Sequence, residues 1–329
     1  MADSRRDHRG VSRVLTKLQS SIEAGNYYEA HQMYRTLYFR YNAQKKYAEA
    51  IDLIYTGAST LLDHGQFESG ADLAMLLIEI LNSANIPASD QTIDKLISIH
   101  KKMEQNSQDR MNFVNSAVRW ARSADVQQCQ EATALHKRLA FTLWEEKNYV
   151  DARYHFLHST DGENCAEMLI EYHVKKGFPS EVDCFIAQAV LQYLCLKKKH
   201  TAHIVFFNYT SKHPQLEKGP PFLKPLLNFI WFLLFAVDSG KLTVFTILCE
   251  QYQPSINRDP TYSEYLDRIG QIFFGVPPPQ PRGSGMLDNL IQSLFGNGGD
   301  DADEDAQPGT SGINNSSPAA VIMQPEDLD

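Results

Sequence analysis

The chain has 329 residues, of which 43% are hydrophobic and 11% are aromatic, so it is too apolar to be disordered throughout. This length accommodates one large domain, two ordinary domains or an array of repeats. The net charge of −9 is concentrated at the carboxyl end, since residues 276–329 contain one cation and nine acids. Residues 1–275 are nearly neutral, which argues against nucleic acid or an anionic membrane as a general partner.

The cysteines and the amino terminus predict a cytoplasmic protein. The five cysteines contain no CxxC pair, so we expect reduced thiols and no disulfide framework. The amino terminus is charged and has no apolar core, unlike a secretory signal. The most hydrophobic run, 226–237, is 12 residues long, whereas a membrane span needs about 20. We therefore expect no direct membrane insertion.

Apolar residues recur at helical spacing from residue 11 to about 274. The first stripe consists of Val11, Val14, Leu15, Leu18 and Ile22, and Gly25 is placed to end that helix. The pattern predicts roughly fourteen helices, the later ones at 27–42, 47–63, 67–84, 90–105, 109–123, 131–146, 149–158, 163–175, 180–197, 200–212, 222–238, 241–253 and 260–274. No stretch shows convincing strand alternation, although 203–209 is compatible with either a strand or a helix.

A short motif recurs at the start of four predicted helices. Each copy combines a polar or glycine turn, an aromatic residue, an acid and a small residue, at 25–30, 45–50, 65–70 and 147–152. The acid suits the positive end of a helix, and the small residue permits close helix approach. Ala30, Ala50 and Gly70 are 20 residues apart, so one helical hairpin takes about 40 residues. The predicted fold is all-α, an irregular α-solenoid of stacked hairpins.

The composition divides the chain into four parts: a flexible amino terminus at 1–10, solenoid halves at 11–146 and 147–274, and a tail at 275–329. We expect the tail to be disordered because it is rich in Pro, Gly and acids. Within it, residues 286–295 have apolar positions at helical spacing. This short amphipathic segment either docks on this protein or another, or forms only a transient helix, and the sequence leaves both open.

The sequence contains no recognisable catalytic or metal-binding motif. There is neither a GxxxxGK[ST] loop nor a GxGxxG after a strand. His155 with His158 and His200 with His203 share helix faces by their spacing, but zinc would need further ligands, so ordinary histidines are favoured. We expect no catalytic residue, metal or cofactor. A hydrolase whose site is assembled from distant residues is the rival hypothesis.

Two features predict surfaces for partners. The first is a basic face on the first two helices, formed by Arg13, Lys17, Arg35 and Arg40. The terminal helices of a solenoid are not covered by further repeats, so they expose a whole face. A solvated face without a partner is the alternative.

The second feature is a concentration of aromatic residues between 206 and 274. Helix 222–238 is apolar around nearly its whole circumference, so it must be covered on all sides. Either flanking helices bury it completely, or a partner segment supplies part of the cover.

The motif at the second helix resembles the Golgi-to-ER traffic protein 4 family. The residues that carry this likeness are Ile22–Gln32, Arg35, Thr36, Arg40, Tyr41, Tyr47–Ile54 and Gly70–Leu73. With its length and acidic tail, the chain resembles an animal member. The resemblance implies a cytosolic, non-catalytic scaffold in the targeting of tail-anchored membrane proteins to the ER, with a part in quality control of mislocalised hydrophobic proteins. The alternative is a helical-repeat subunit of another assembly, such as a protein-degradation complex.

The resemblance also implies partners. In this family the amino-terminal helices contact the targeting ATPase, which assigns Arg13, Lys17, Arg35 and Arg40 to that contact, with Asp72 at an acidic family position. The carboxy-terminal half of the family holds a ubiquitin-like adaptor, or in animals the large BAG-domain chaperone that bridges to it. The residues proposed for the chaperone are Phe206, Phe207, Phe229, Trp231, Phe235 and Tyr262. A β-hairpin in that half is implied as well.

Overall fold

The computed structural model describes residues 2–123 and 129–277, so the segment 286–295 lies outside it. Within these ranges the chain contains helices and no strand, and the all-α class is confirmed. The helices are α1 (Ala2–Glu23), α2 (Tyr27–Ala43), α3 (Tyr47–Asp63), α4 (Phe67–Ser83), α5 (Asp90–Lys102), α6 (Gln108–Ser123), α7 (Cys129–Glu145), α8 (Tyr149–His158), α9 (Gly162–Lys176), α10 (Val182–Cys195), α11 (Lys199–Lys212), α12 (Pro225–Ser239), α13 (Leu242–Gln251), α14 (Gln253–Ile256) and α15 (Thr261–Phe274).

Two helix starts differ by three or more residues from those predicted, and one ambiguous segment is now assigned. Helix α1 begins at Ala2, nine residues before Val11, the first residue of the predicted apolar stripe. Helix α12 begins with Pro225 at its first position, which suits proline because no donor is needed there. Residues 203–209 lie within α11, and no described residue forms the β-hairpin that the resemblance implies.

The chain divides into two compact units, Met1–Asp161 and Gly162–Asp329, rather than at the predicted boundary between residues 146 and 147. The reason is that α8 packs against α7. The Phe156 ring meets Phe141 and Trp144 edge-on, with centroids 5.6 and 6.1 Å apart. Helix α8 therefore completes the first unit.

In the first unit, α2 to α5 each contact the next helix but one along the chain. Helix α2 contacts α3 and α4, α3 contacts α5, α4 contacts α6, and α5 contacts α7. This is the pattern of stacked helical hairpins. Ion pairs link helices one hairpin apart: Lys95–Asp52 at 2.6 Å, Lys102–Asp63 at 2.6 Å and Lys101–Glu145 at 2.9 Å. Exposed pairs of this kind each contribute little to stability.

The recurring motif forms the same turn each time. Gly25, Lys45, Gly65 and Lys147, one in each copy, have φ of 75°, 56°, 70° and 63°. Asn85, 20 residues after Gly65 and outside the motif, has φ of 50°. At the third turn, the Gly65 N–H donates to the carbonyl of Leu62 at 3.0 Å. The next N–H, that of residue 66, donates to the carbonyl of residue 61 at 2.9 Å. These two bonds are the Schellman motif, which satisfies the last carbonyls of a helix and stops it.

The small residue of each motif copy lies where two helices meet. Ala30 and Ala50 are completely buried. At Gly70, a Cβ atom would lie 2.6 Å from Cγ of Leu62, so only glycine allows α3 and α4 to approach this closely. The predicted role of the small residue is confirmed.

In the second unit, α10 is the central helix and contacts α9, α11, α12 and α15. Ten of its 14 residues are buried. Among them is Asp183, whose carboxylate accepts hydrogen bonds from Arg258 at 2.6 and 3.2 Å. Because a buried carboxylate without a partner is costly, this pair fixes the segment before α15 against α10.

The helix-stop turns generate a prediction. Gly65→Ala should lower the free energy of unfolding by about 1 kcal/mol, because a Cβ disfavours a left-handed backbone. No atom lies within 4 Å of that Cβ position, so the loss is conformational and not a clash. Lys45→Gly, at the equivalent position with φ of 56°, should instead stabilise the protein slightly. Denaturant unfolding followed by circular dichroism measures both changes, and equal effects of the two variants would contradict this account.

Candidate functional site

The first candidate surface centres on Asp72 of α4. Its carboxylate accepts two hydrogen bonds from Nη1 of Arg35, at 2.9 and 3.1 Å, and lies 2.8 Å from Nε2 of His31. The Arg35 and Asp72 side chains are a little over one third exposed, at 37% and 38%. The structure thus brings two of the predicted residues together. His31 was not predicted from sequence, although it lies one hairpin length before Asp72.

The other predicted cations of this surface differ in their surroundings. Lys17 is paired with Glu29 at 2.6 Å, and the Lys17 ammonium together with the Ser21 hydroxyl lowers the pKa of that carboxyl. Arg13 and Arg40 are exposed. The face is therefore of mixed charge and not uniformly basic, because α2 and α4 supply carboxylates to two of its four cations.

Two aromatic side chains of α2 lie at this face without having been predicted. Tyr28 is 77% exposed and Phe39 is 52% exposed. Tyr28 lines a shallow depression of about 500 Å³ with five other residues: Gly25, Asn26, Tyr27, Glu29 and Gln66. Exposed aromatic side chains among charged ones are typical of protein–protein interfaces.

In the second unit, three of the six predicted aromatic residues belong to the core. Phe206, Phe229 and Tyr262 are at most 1% exposed. The prediction that these three rings contact a partner directly is therefore wrong. Phe206 packs edge-on against Phe222 with centroids 5.8 Å apart. Phe229 is buried because α10, α11, α13 and α14 pack against α12, and Tyr262 is buried because α15 packs against α10.

The other three predicted aromatic residues reach the surface, together with one that was not predicted. Phe207, Phe232 and Phe235 are 39–49% exposed, and Trp231 is partly exposed. The Trp231 ring lies 4.7 Å from that of Phe232 and 5.4 Å from that of Phe235. We name this set of four residues, Phe207, Trp231, Phe232 and Phe235, the aromatic flank.

A charged network borders the aromatic flank. His203 of α11 stacks on Phe207 with centroids 6.2 Å apart and lies 3.2 Å from Asp238 of α12. The same carboxylate pairs with Lys199 at 2.9 Å. Because Asp238 and Phe235 share the exposed stripe of α12, the apolar and charged parts form one continuous surface.

Of the two histidine pairs noted in the sequence, His155 and His158 both lie against the ring of His136, with centroids 5.0 and 4.9 Å away. His155 is buried and its Nδ1 lies 2.8 Å from Nδ1 of His136, while burial lowers the pKa of His155 to about 3. The described residues contain no group of three or more His, Cys, Asp and Glu placed to hold a metal ion. Nor does 2–123 or 129–277 contain a helix that is long and apolar enough to cross a membrane.

A second buried histidine pair joins two connections of the second unit. The Gln215 N–H donates to Nδ1 of His213 at 3.1 Å, which assigns the proton of that ring to Nε2. Nε2 of His213 then donates to Nδ1 of His173 at 3.0 Å, and Nε2 of His173 donates to the Phe178 carbonyl at 2.9 Å. Both rings are therefore neutral. Burial, and then the second histidine, lower the pKa of His213 to about 4.

Residues 44–295 match the model of the family described as Golgi to ER traffic protein 4. The chain belongs to that family. It is similar to the Golgi to ER traffic protein 4 homolog of Homo sapiens, with 54% identity over 92% of this chain and 94% of the human protein. It is also similar to the Gallus gallus homolog, with 52% identity over 94% of each.

A solved structure agrees with this assignment. The crystal structure of C. therm. Get4 superposes with a TM-score of 0.73 at 27% sequence identity, covering 91% of this chain and all of the solved one. The resemblance drawn from the motif residues is thus confirmed. Membership in the Golgi to ER traffic protein 4 family supports a part in ER-directed traffic.

The His173–His213 pair predicts a loss of stability in acid. The pKa of His213 is about 4 in the folded state, against an ordinary value of 6.5. Between pH 4 and pH 6.5 the unfolded chain therefore binds more protons than the folded one. The free energy of unfolding should therefore fall with falling pH, by about 1.4 kcal/mol per pH unit for each such group. His213→Gln should reduce this slope, whereas His200→Gln, at an exposed position, should not. Unfolding measured from pH 7.5 to 4.5 tests this, and identical slopes for both variants would contradict it.

Proposed function

We propose that this chain is a non-catalytic scaffold in the cytosol, which helps to hand tail-anchored membrane proteins to a targeting ATPase for insertion into the ER membrane. The same scaffold would support quality control of mislocalised hydrophobic proteins. One observation carries the proposal: a chain of this family has a mixed-charge surface in its first unit and an exposed aromatic surface in its second. A scaffold needs two such separate surfaces, because it holds two partners at once.

The surface around Asp72 suits the ATPase. The ion pair between Arg35 and Asp72 is over one third exposed, so it contributes little to stability and can exchange partners cheaply. In the free chain Asp72 neutralises Arg35. An acidic side chain of the partner could replace Asp72 and form its own ion pair with Arg35. Asp72 would then regulate the contact, because it competes with the partner for Arg35.

The aromatic flank suits the BAG-domain chaperone. Clustered, partly exposed aromatic side chains are the residue type that dominates binding energy at interfaces. An apolar segment of the chaperone that packs on the flank would remove this surface from water. The ubiquitin-like adaptor then joins the complex through the chaperone.

Affinity purification of the tagged full-length chain from animal cells, followed by mass spectrometry, tests the proposal as a whole. We expect the targeting ATPase, the BAG-domain chaperone and the ubiquitin-like adaptor to be recovered. Recovery of a protein-degradation complex without the ATPase would favour the alternative of a different helical-repeat subunit. Turnover of nucleotide or ester by the purified chain would contradict a non-catalytic role.

Reversal of exposed charges tests the first surface. Arg13→Glu with Arg40→Glu should slow association with the ATPase about tenfold at low salt and weaken its salt dependence, because opposite charges steer encounter. The fold should be unaffected, since both residues are exposed. Arg119→Glu with Arg122→Glu reverses two exposed charges on α6 and serves as the matched control. Stopped-flow association rates that are equal for the two double variants would contradict this site.

Truncation of exposed aromatic residues tests the second surface. Phe232→Ala with Phe235→Ala should weaken binding of the BAG-domain chaperone's carboxy-terminal region about tenfold or more, as expected for aromatic anchors of an interface. Val174→Ala, which shortens another exposed apolar side chain of the same unit, should leave binding unchanged. Isothermal titration calorimetry measures both. Unaltered affinity of the double variant would show that the chaperone binds elsewhere.

A further inference from the structure

We propose that residues 286–305 of this chain dock on its own aromatic flank, so that a partner must displace them in order to bind there. The regulatory meaning of this docking rests on the function proposed above, whereas the docking itself does not. It concerns only this chain, and its test contains no partner.

The surface of the second unit changes from aromatic to basic along α11 and α12. Its aromatic part is the flank already defined. Its basic part consists of the turn before α11 and the turn after α12. The first turn leads into four consecutive basic residues, Lys197–His200, and the second contains Lys241. Asp238 lies between the two parts and pairs with Lys199. Lys197, Lys199 and Lys241 are three exposed cations beside this one carboxylate, so this end of the surface is basic.

The carboxy-terminal segment has the complementary order. Residues 286–295 contain six apolar side chains at helical spacing: Met286, Leu287, Leu290, Ile291, Leu294 and Phe295. Four residues, Gly-Asn-Gly-Gly, follow, and then five of the six residues 300–305 are acidic. An apolar stripe would face the aromatic flank, and the acids would face the basic turns. The match to the family extends to residue 295, so the apolar part lies within the length that the family shares.

The described chain ends beside this surface. The Phe274 ring stacks on Phe245 in the first turn of α13, with centroids 4.5 Å apart. The Val276 N–H donates to the carbonyl of Gly270 in α15 at 3.2 Å, so Val276 lies beside Phe245 next to Gly270. Only Gly240 and Lys241 separate α13 from α12. The last described residues of the chain therefore lie next to the basic end of the surface.

The linker is long enough for the proposed arrangement. Helix α12 has 15 residues and is about 22 Å long at 1.5 Å per residue. The linker 278–285 has eight residues, and a chain of eight residues at about 3.1 Å per residue can span about 25 Å. They can thus reach the far end of α12, from which residues 286–295 run back along the flank. The acids at 300–305 then arrive at Lys197–Lys199 and Lys241.

A competition experiment tests the docking in the full-length chain. The probe is a fluorescein-labelled synthetic peptide of residues 284–306. Leu290→Asp with Leu294→Asp should release the segment 286–295 from the flank; we call this the vacated variant. It should bind the peptide about tenfold or more tightly than the wild type does. In the wild type the tethered segment competes with the peptide at high effective concentration. Val321→Asp with Ile322→Asp adds the same two charges elsewhere in the tail and should behave like the wild type. Adding Phe235→Ala to the vacated variant should abolish peptide binding.

Hydrogen exchange of the same proteins gives an independent readout. We expect faster exchange in α11 and α12 when Leu290 and Leu294 are replaced, and no change in the matched control. Equal peptide affinity for the wild type and the vacated variant, with equal exchange, would overturn the proposal and leave the flank open to a partner chain. Protection of α12 that grows with protein concentration would also overturn it, since it would assign the cover to a second copy.

Discussion

The structure of the first unit depends on one backbone constraint, the left-handed residue that stops a helix every 20 residues. At Gly25, Lys45, Gly65 and Asn85, a positive φ lets two N–H groups turn back onto the last free carbonyls. Because the stops are evenly spaced, α2, α3 and α4 are each 17 residues long. Equal helices with equal turns stack in register, so residues about 40 positions apart meet across a layer. The Arg35–Asp72 pair, 37 residues apart, is a direct consequence.

The two candidate surfaces differ in the interaction that would stabilise a bound partner. Around Asp72 the charges are already paired within the chain, so a partner that bound there as proposed would exchange one ion pair for another and gain mainly rate and specificity. On the aromatic flank, apolar area of the described helices is in contact with water until a cover packs on it. Burial of that area is worth about 25 cal/mol per Å², which gives any cover, whether tethered or external, a real driving force. A scaffold with one exchangeable and one persistent contact can hold one partner while it releases another.

Much of the candidate sites could be predicted, but with identifiable errors. Arg35 and Asp72 were both predicted, and they meet. His31 was not predicted, because a single histidine carries no pattern and only its position one hairpin before Asp72 marks it. The aromatic residues show the larger error. Phe206 and Phe207 are adjacent in sequence, yet one is in the core and the other is 41% exposed. On α12, Phe229 is likewise buried and Phe232 is exposed. Composition alone does not show which of these aromatic residues is buried.

The sequence by itself determined what depends on neighbours along the chain. Helix periodicity is local, and so are the aromatic residue that opens α2, α3, α4 and α8 and the glycine or polar residue that closes the helix before each of them. A helix is stopped by groups within five residues. The tertiary structure decided what depends on distant elements. Helix α8 joined the first unit because it packs on α7, and the exposed side of α12 was set by where α10, α11 and α13 lie. Burial is a property of the space around a side chain, and helices far apart in the sequence fill that space.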